Sequence, residues 1–273
     1  MSSQKPSRRV TINTLKELKD KGNKFASLTA YDACFAEIIS SSGIEVILVG
    51  DSLGMVLQGH DSTLPVTMDD MVYHLTNVRR GVRTSMLMAD LPFMSYHSER
   101  QSLENAAALM RAGANIVKLE GGAWIAESTR LLVERGIPVC AHMGLTPQSI
   151  NRFGSFRVQG RNPKQAQTMV DEAVLLQDSG ASVVLLECVP MSLAKTITET
   201  LEIPVIGIGA GPFVDGQIMV MHDMLGITPS DIKVPKFVKN FLSESKSGIR
   251  GAFKAYAAAV KDGSFPAPEH CYE

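Results

Sequence analysis

Short apolar runs rich in β-branched residues recur along the chain: Phe25 to Ala30 (FASLTA), Val46 to Gly50 (VILVG), Ser85 to Ala89 (SMLMA) and Ile116 to Leu119 (IVKL). The series continues with Pro138 to Ala141 (PVCA), Val183 to Leu186 (VVLL), Pro204 to Ile208 (PVIGI) and, with a weaker signature, Gln217 to Met221 (QIMVM). Near-continuous apolar runs of this length suit parallel strands buried on both faces. Helical patterns fill the gaps, and their ends are marked. Thr67 with Asp70, and Ser98 with Gln101, read as N-terminal caps, and Asn162 before Pro163 opens a third helix. Gly43, Gly113, Gly136 and Gly180 each stand just before the next strand, where a left-handed helix end is wanted.

Eight strands alternating with helices, and no Pro/Gly/Ser-rich linker between them, predict a single (β/α)8 TIM barrel spanning residues 1–273 rather than an open doubly wound sheet. The segment TINTLKELKDKG predicts an extra N-terminal helix covering the barrel bottom. Two helical patterns after Pro235, PKFVKNFLSESKSG and IRGAFKAYAAAVKDG, predict the final helix and a C-terminal helical extension, with FPAPEHCYE as an irregular tail.

Composition leaves that picture intact and excludes some partners. Apolar content of 45% and charged content of 20% are those of a globular enzyme, and a formal charge of −1 argues against a polyanion binder. Arg79, Arg80 and RNPK are scattered charges without interleaved aromatics, so no nucleic-acid surface is expected. No apolar segment nears the roughly 18 residues of a membrane helix, and MSSQKPSRRV lacks a secretory core, which predicts a cytoplasmic protein. None of the four cysteines forms a CxxC pair; buried, reduced thiols are expected rather than a zinc or disulfide site.

The strand ends carry the chemistry. Asp51 follows the second run, Asp90 the third, Glu120 the fourth, His142 the fifth and Glu187 the sixth. In a parallel barrel these ends share one face. An acid after a strand also caps helices, but capping would use Ser, Thr and Asn as readily. Like charges gathered in a dry pocket are costly unless a cation joins them, and Asp51, Asp90 and Glu120 offer hard oxygens that favour Mg²⁺ over Zn²⁺. Lys118 and Glu120 are two apart and face the same side of their strand. Lys118 is therefore a salt-bridge partner, an anchor for an anionic or carbonyl group, or a Schiff-base lysine. Glu187, ending SVVLLE, is the candidate for proton abstraction, with capping or ion pairing as its alternatives. His142 reads equally as a substrate donor, a second base or a structural histidine. The glycines of GIGAG, Gly207 to Gly211, suit a phosphate loop or a turn packed against a flat ligand.

The stretches TAYD, VGDSLGMVLQGHDSTLPVT, KLEGG, AHMGLTPQS, VQGR, IGIGAG, DGQIMVMHD and FPAPEH together resemble the ketopantoate hydroxymethyltransferase family over nearly the whole chain from about Thr11. Small departures fall at Ser155 and in GAGPF. The resemblance implies transfer of a one-carbon unit from 5,10-methylenetetrahydrofolate to 3-methyl-2-oxobutanoate, giving 2-dehydropantoate on the way to pantothenate. It also implies a barrel like those of phosphoenolpyruvate and pyruvate enzymes, one Mg²⁺ per subunit, and a cytoplasmic homo-oligomer, a decamer in the family. Carried over by residue, it makes Asp51, Asp90 and Glu120 the metal-site carboxylates, and Asp51, Ser52, Asp90 and Lys118 the contacts of the oxo acid. Glu187 becomes the proton acceptor. Two other readings of the acids remain: a Mg²⁺-dependent lyase or aldolase acting on a 2-oxo acid, and a barrel that binds a small anion without chemistry.

Overall fold

A computed structural model describes residues 9–228 and 234–273. Most of the N-terminal stretch MSSQKPSRRV, read above for a secretory core, lies outside the described residues. The eight apolar runs form β1 (Phe25–Thr29), β2 (Val46–Val49), β3 (Met86–Asp90), β4 (Ile116–Glu120), β5 (Val139–Gly144), β6 (Val183–Glu187), β7 (Val205–Ile208) and β8 (Gly216–Met219). Every neighbouring pair is parallel, and β8 returns to β1, so the sheet closes into a barrel in sequence order.

Alternation along each strand sorts the apolar residues into two cores. Phe25, Val46, Met86, Ile116, Val183 and Ile206 pack with one another inside the barrel. Their neighbours Ala26, Ile47, Leu87, Val117, Val184 and Val205 pack instead against the helices. This is the double burial that near-continuous apolar strands require.

The helix ends follow the sequence closely. Thr67 and Asp70 form a reciprocal capping box on the helix Met68–Gly81. The Ser98 side chain accepts the Gln101 N–H, and Asn162 accepts that of Lys164 ahead of the helix Pro163–Asp178. The helix Glu99–Ala112 ends on Gly113 at φ +115, a conformation that a side chain would strain. The helix Ile12–Asp20, capped by Thr11, sends fully buried Leu15 into the interior cluster with Phe25 and Ile116, closing the barrel floor as expected.

The C-terminal expectation fails in part. IRGAFKAYAAAVKDG forms the helix Gly248–Asp262, whose Tyr256 hydroxyl lies within hydrogen-bond reach of the Ser27 and Gln217 carbonyls at the β1–β8 seam. PKFVKNFLSESKSG forms turns rather than a helix. Local bonds outcompete the helix there. Asn240 Oδ1 accepts the N–H groups of Leu242 and Ser243, and Ser245 Oγ accepts that of Ser247. Phe237 and Phe241 are buried without helical geometry, so among the described residues from Pro235 onward the one α-helix is Gly248–Asp262.

The cysteine expectation also needs one correction. All four thiols are free, but Cys34 is exposed on the outer helix Ala33–Ser41 while Cys140, Cys188 and Cys271 are buried.

Because Leu15 seals the end of the barrel away from the strand C-termini, Leu15→Ala should cost about 2 to 5 kcal/mol in urea unfolding. The turnover number at saturating substrate should stay near that of the parent chain.

Candidate active site

The C-terminal ends of the strands open into a cavity of about 750 Å³ lined by Asp51, Ser52, Asp90, Lys118, Glu120, His142 and Glu187 among others. β4 supplies the centre. Its inward positions run Ile116, Lys118, Glu120, from the apolar floor to the mouth. Lys118 Nζ lies 3.0 Å from Asp90 Oδ1, 3.1 Å from His142 Nδ1 and 3.7 Å from Glu120 Oε1. His142 then connects two acids, with Nδ1 3.1 Å from Glu120 Oε1 and Nε2 3.3 Å from Glu187 Oε2. Asp51, Asp90, Lys118, Glu120 and His142 are each at most 4% exposed, whereas the Glu187 side chain is 16% open to the cavity.

Asp51 arrives differently. The inward position at the end of β2 belongs to Gly50, where a Cβ would come within 3.0 Å of Ser52 Oγ and 3.4 Å of Asp90 Oδ2. The turn after Gly50 brings Asp51 back to the cavity, and its backbone N–H donates to Asp90 Oδ2 at 3.1 Å. Ser52 precedes the short helix Leu53–Val56 without capping it; its hydroxyl pairs instead with Tyr31 Oη at 2.8 Å.

None of the strand-end acids is a side-chain cap. Those caps are Thr11, Asp32, Thr67, Ser98 and Asn162, and the helix Met191–Thr200 after Glu187 starts at Pro190. The acids serve the cavity. Burial first, then the neighbouring charges of Asp90 and Glu120, pushes the Asp51 carboxyl well above its usual range. Burial likewise raises Asp90, with Lys118 opposing. Burial works against the Lys118 ammonium, but Asp90, Glu120 and Asp51 outweigh it and hold the charge. Burial also opposes the Glu120 carboxylate, which His142, Lys118 and the Gln148 N–H nonetheless keep below the ordinary value. His142 is raised, because its acidic neighbours overcome burial and Lys118.

Among the described residues, no three His, Cys, Asp or Glu side chains assemble at the spacing of a metal-ligand set. Glu120 is occupied: Oε1 faces Lys118 and His142, and Oε2 accepts the Gln148 N–H at 3.0 Å. Asp90 Oδ1, buried and close to Lys118, has no aligned hydrogen-bond donor.

The ketopantoate hydroxymethyltransferase profile matches residues 9–268. The chain belongs to the ketopantoate hydroxymethyltransferase family. A relative named 3-methyl-2-oxobutanoate hydroxymethyltransferase 2, from Hahella chejuensis, is 57% identical over 96% of this chain and 98% of its own. The 3-methyl-2-oxobutanoate hydroxymethyltransferase of Marinobacter nauticus is 58% identical over 97% of this chain and 99% of its own. Among solved structures, phosphonopyruvate hydrolase in complex with oxalate and Mg²⁺ superposes with a TM-score of 0.61 at 14% identity, over 80% of this chain and 83% of that one. A 2,3-dimethylmalate lyase of the PEP mutase/isocitrate lyase superfamily gives 0.57 at 15% identity, over 76% and 80%. These two show a shared barrel.

In this member of the ketopantoate hydroxymethyltransferase family, the GIGAG segment packs on its own chain. A Cβ on Gly209 would meet the Phe237 ring at 2.8 Å, and one on Gly211 would run into Met191. Four cavity or support residues escaped the sequence reading. Gln148 bonds to the Asp51 and Glu120 carboxylates from behind, Tyr96 bonds to Gln148 and to the Glu120 backbone, and His222 and Asp223 line the cavity after β8. Asp223 follows the last strand much as the other acids follow theirs, a signal hidden by the weak pattern of QIMVM.

Asp51 and Asp90 have folded-state pKa values above the unfolded value of about 3.9. Their contribution to stability is therefore present below that pH and lost as pH rises through the folded values, so at pH 7 they cost stability. Asp51→Asn should raise the metal-free melting temperature at pH 7, by about 2 to 4 °C for each kcal/mol relieved. The gain should vanish near pH 4.

Proposed function

We propose that the chain transfers a hydroxymethyl unit from 5,10-methylenetetrahydrofolate to 3-methyl-2-oxobutanoate, forming 2-dehydropantoate for pantothenate synthesis, with Mg²⁺ as its resident ion. The observation that carries this reading is the convergence of strand-end acids that cap no helix on one lysine-containing cavity. The residues fit a hard divalent cation. Asp90 Oδ1 is buried without an aligned donor, Asp51 bears a like-charge burden that Lys118 and Gln148 only partly relieve, and Mg²⁺ characteristically takes one or two carboxylates plus water and substrate oxygens. Asp51 and Asp90 would hold the ion. Glu120, expected as a third metal-site carboxylate, has both oxygens engaged and would instead support from behind by keeping Lys118 and His142 in place.

When bound, the ion supplies Lewis acidity to the oxygens of the oxo acid. Lys118 offers an ammonium held charged by three acids, suited to the carboxylate or developing enolate of the substrate. Ser52, oriented by Tyr31, offers a hydroxyl to the same group. Glu187, partly open to the cavity and flanked by His142 Nε2, takes the C3 proton. The electron pair left at C3 bonds the methylene carbon of the donor. One carbon–nitrogen bond of the donor's methylene bridge breaks as that bond forms; water then supplies the hydroxyl oxygen as the second breaks, and the two freed folate nitrogens take up the Glu187 proton and the remaining water proton, leaving tetrahydrofolate. The same reading takes the protein as a cytoplasmic homo-oligomer. None of the helices among the described residues is long and apolar enough to cross a membrane, and exposed Tyr73 and Trp124 offer apolar surface for subunit contacts.

Glu187→Gln should bind 3-methyl-2-oxobutanoate with Mg²⁺ yet exchange its C3 proton in D₂O about 10² to 10⁴ times more slowly. Exchange at the parent rate, followed by NMR, would remove Glu187 from the mechanism. Turnover of the oxo acid by the parent chain without any folate would point instead to a lyase or aldolase.

A further inference from the structure

Gln148 sits in the short turn Pro147–Ser149 after β5, 6% exposed and behind the acids rather than among the strand ends. Its backbone N–H donates to Glu120 Oε2 at 3.0 Å. Its side-chain Nε2 donates to Asp51 Oδ2 at 2.8 Å and to the Leu91 carbonyl at 3.0 Å. One residue thus grips two acids from different parts of the rim, Asp51 in the turn after β2 and Glu120 at the end of β4. Which end of an amide faces which partner has to follow from the network, and here the network decides it. The Leu91 carbonyl only accepts, so the nitrogen must face it and, with it, Asp51.

Tyr96 fixes the other end. The Glu120 N–H donates to Tyr96 Oη at 3.3 Å, so the hydroxyl proton leaves in another direction. The short contact, 2.6 Å, is to Gln148 Oε1; that to the Glu120 carbonyl is 3.2 Å. The Tyr96 ring is held by stacking on Trp124, with centroids 5.6 Å apart and planes 13° from parallel. Polarity runs one way, from the Glu120 backbone through Tyr96 to the Gln148 carbonyl, and from the Gln148 donors to the carboxylates of Asp51 and Glu120. Both Gln148 amide hydrogens and its oxygen are used, so a flipped amide would set oxygen against oxygen at Asp51 and at Leu91.

We propose that Gln148, oriented by Tyr96, is a positioning residue for the reaction: it locks the Asp51 and Glu120 carboxylates in one relative orientation by holding Asp51 Oδ2, which leaves Oδ1 for the ion or substrate. The assignment rests on the hydroxymethyl-transfer reading above for what Asp51 does. Gln148→Leu removes the side-chain bonds at similar volume and keeps the backbone N–H. It should lower the apparent Mg²⁺ affinity or the C3 proton exchange rate about 10- to 100-fold, as loss of an outer partner of a metal ligand does. Tyr96→Phe leaves the amide free to turn and should lose less, in the same direction. The double variant should be no worse than Gln148→Leu alone, because both changes break one chain of bonds.

The measurements are exchange in D₂O against Mg²⁺ concentration, with melting temperature recorded for each variant. A folded Gln148→Leu protein whose exchange rate and Mg²⁺ dependence stay within about twofold of the parent overturns the proposal, as do losses that multiply in the double variant. Should Gln148→Leu fail to fold, Tyr96→Phe decides by the same criterion. A parent chain whose exchange ignores Mg²⁺ sinks the metal reading, while the exchange rates of the variants still judge Gln148.

Discussion

A lysine ammonium buried inside a barrel is tolerable only if anionic partners replace the water it has lost, and Lys118 imposes that condition on three neighbouring strands. Asp90 on β3, Glu120 on its own strand and His142 on β5 surround it within 3.7 Å. In turn those acids could not stay ionised at such depth without the cation, and they remain in excess of it. The site is an arrangement of mutually dependent charges that is left incompletely balanced, and that imbalance is what the proposed divalent ion would relieve.

The rest of the fold delivers these groups at the right height. Apolar layers of Phe25, Val46, Met86 and Ile116 fill the floor, and Leu15 seals it, so each inward strand position nearer the mouth turns from packing to chemistry. β6 ends with Glu187, and the next residue, Cys188, adopts φ +47, a costly conformation for a residue with a side chain. It is stabilised there by its N–H donating to the Ile208 carbonyl and by its own carbonyl accepting the Gln159 N–H. The chain therefore turns sharply just after the candidate base.

Stability and function pull apart at this mouth. Carboxylates that repel one another at neutral pH weaken the folded state, whereas the caps at Thr67, Ser98 and Asn162 and the double burial of the strands make the barrel able to carry that burden.

The sequence by itself determined the eight strands, the capped helices between them and the shared rim of Asp90, Glu120, His142 and Glu187. Its reach there has a physical reason: strand alternation, helix caps and glycine stops are local preferences, and parallel closure then aligns all strand ends. The family was legible as well, since long motifs such as VGDSLGMVLQGHDSTLPVT carry the resemblance and the family profile matches residues 9–268. Other features depended on tertiary structure. Asp51 lies out of step with the inward positions of β2 and reaches the cavity only because Gly50 leaves room beside Asp90. Gln148 and Tyr96 carry no pattern of their own; their meaning comes from partners up to 97 residues away. PKFVKNFLSESKSG has helical spacing, but bonds from Asn240 and Ser245 to nearby N–H groups won over it. Periodicity records which face a residue presents, and only the folded chain decides which groups meet there.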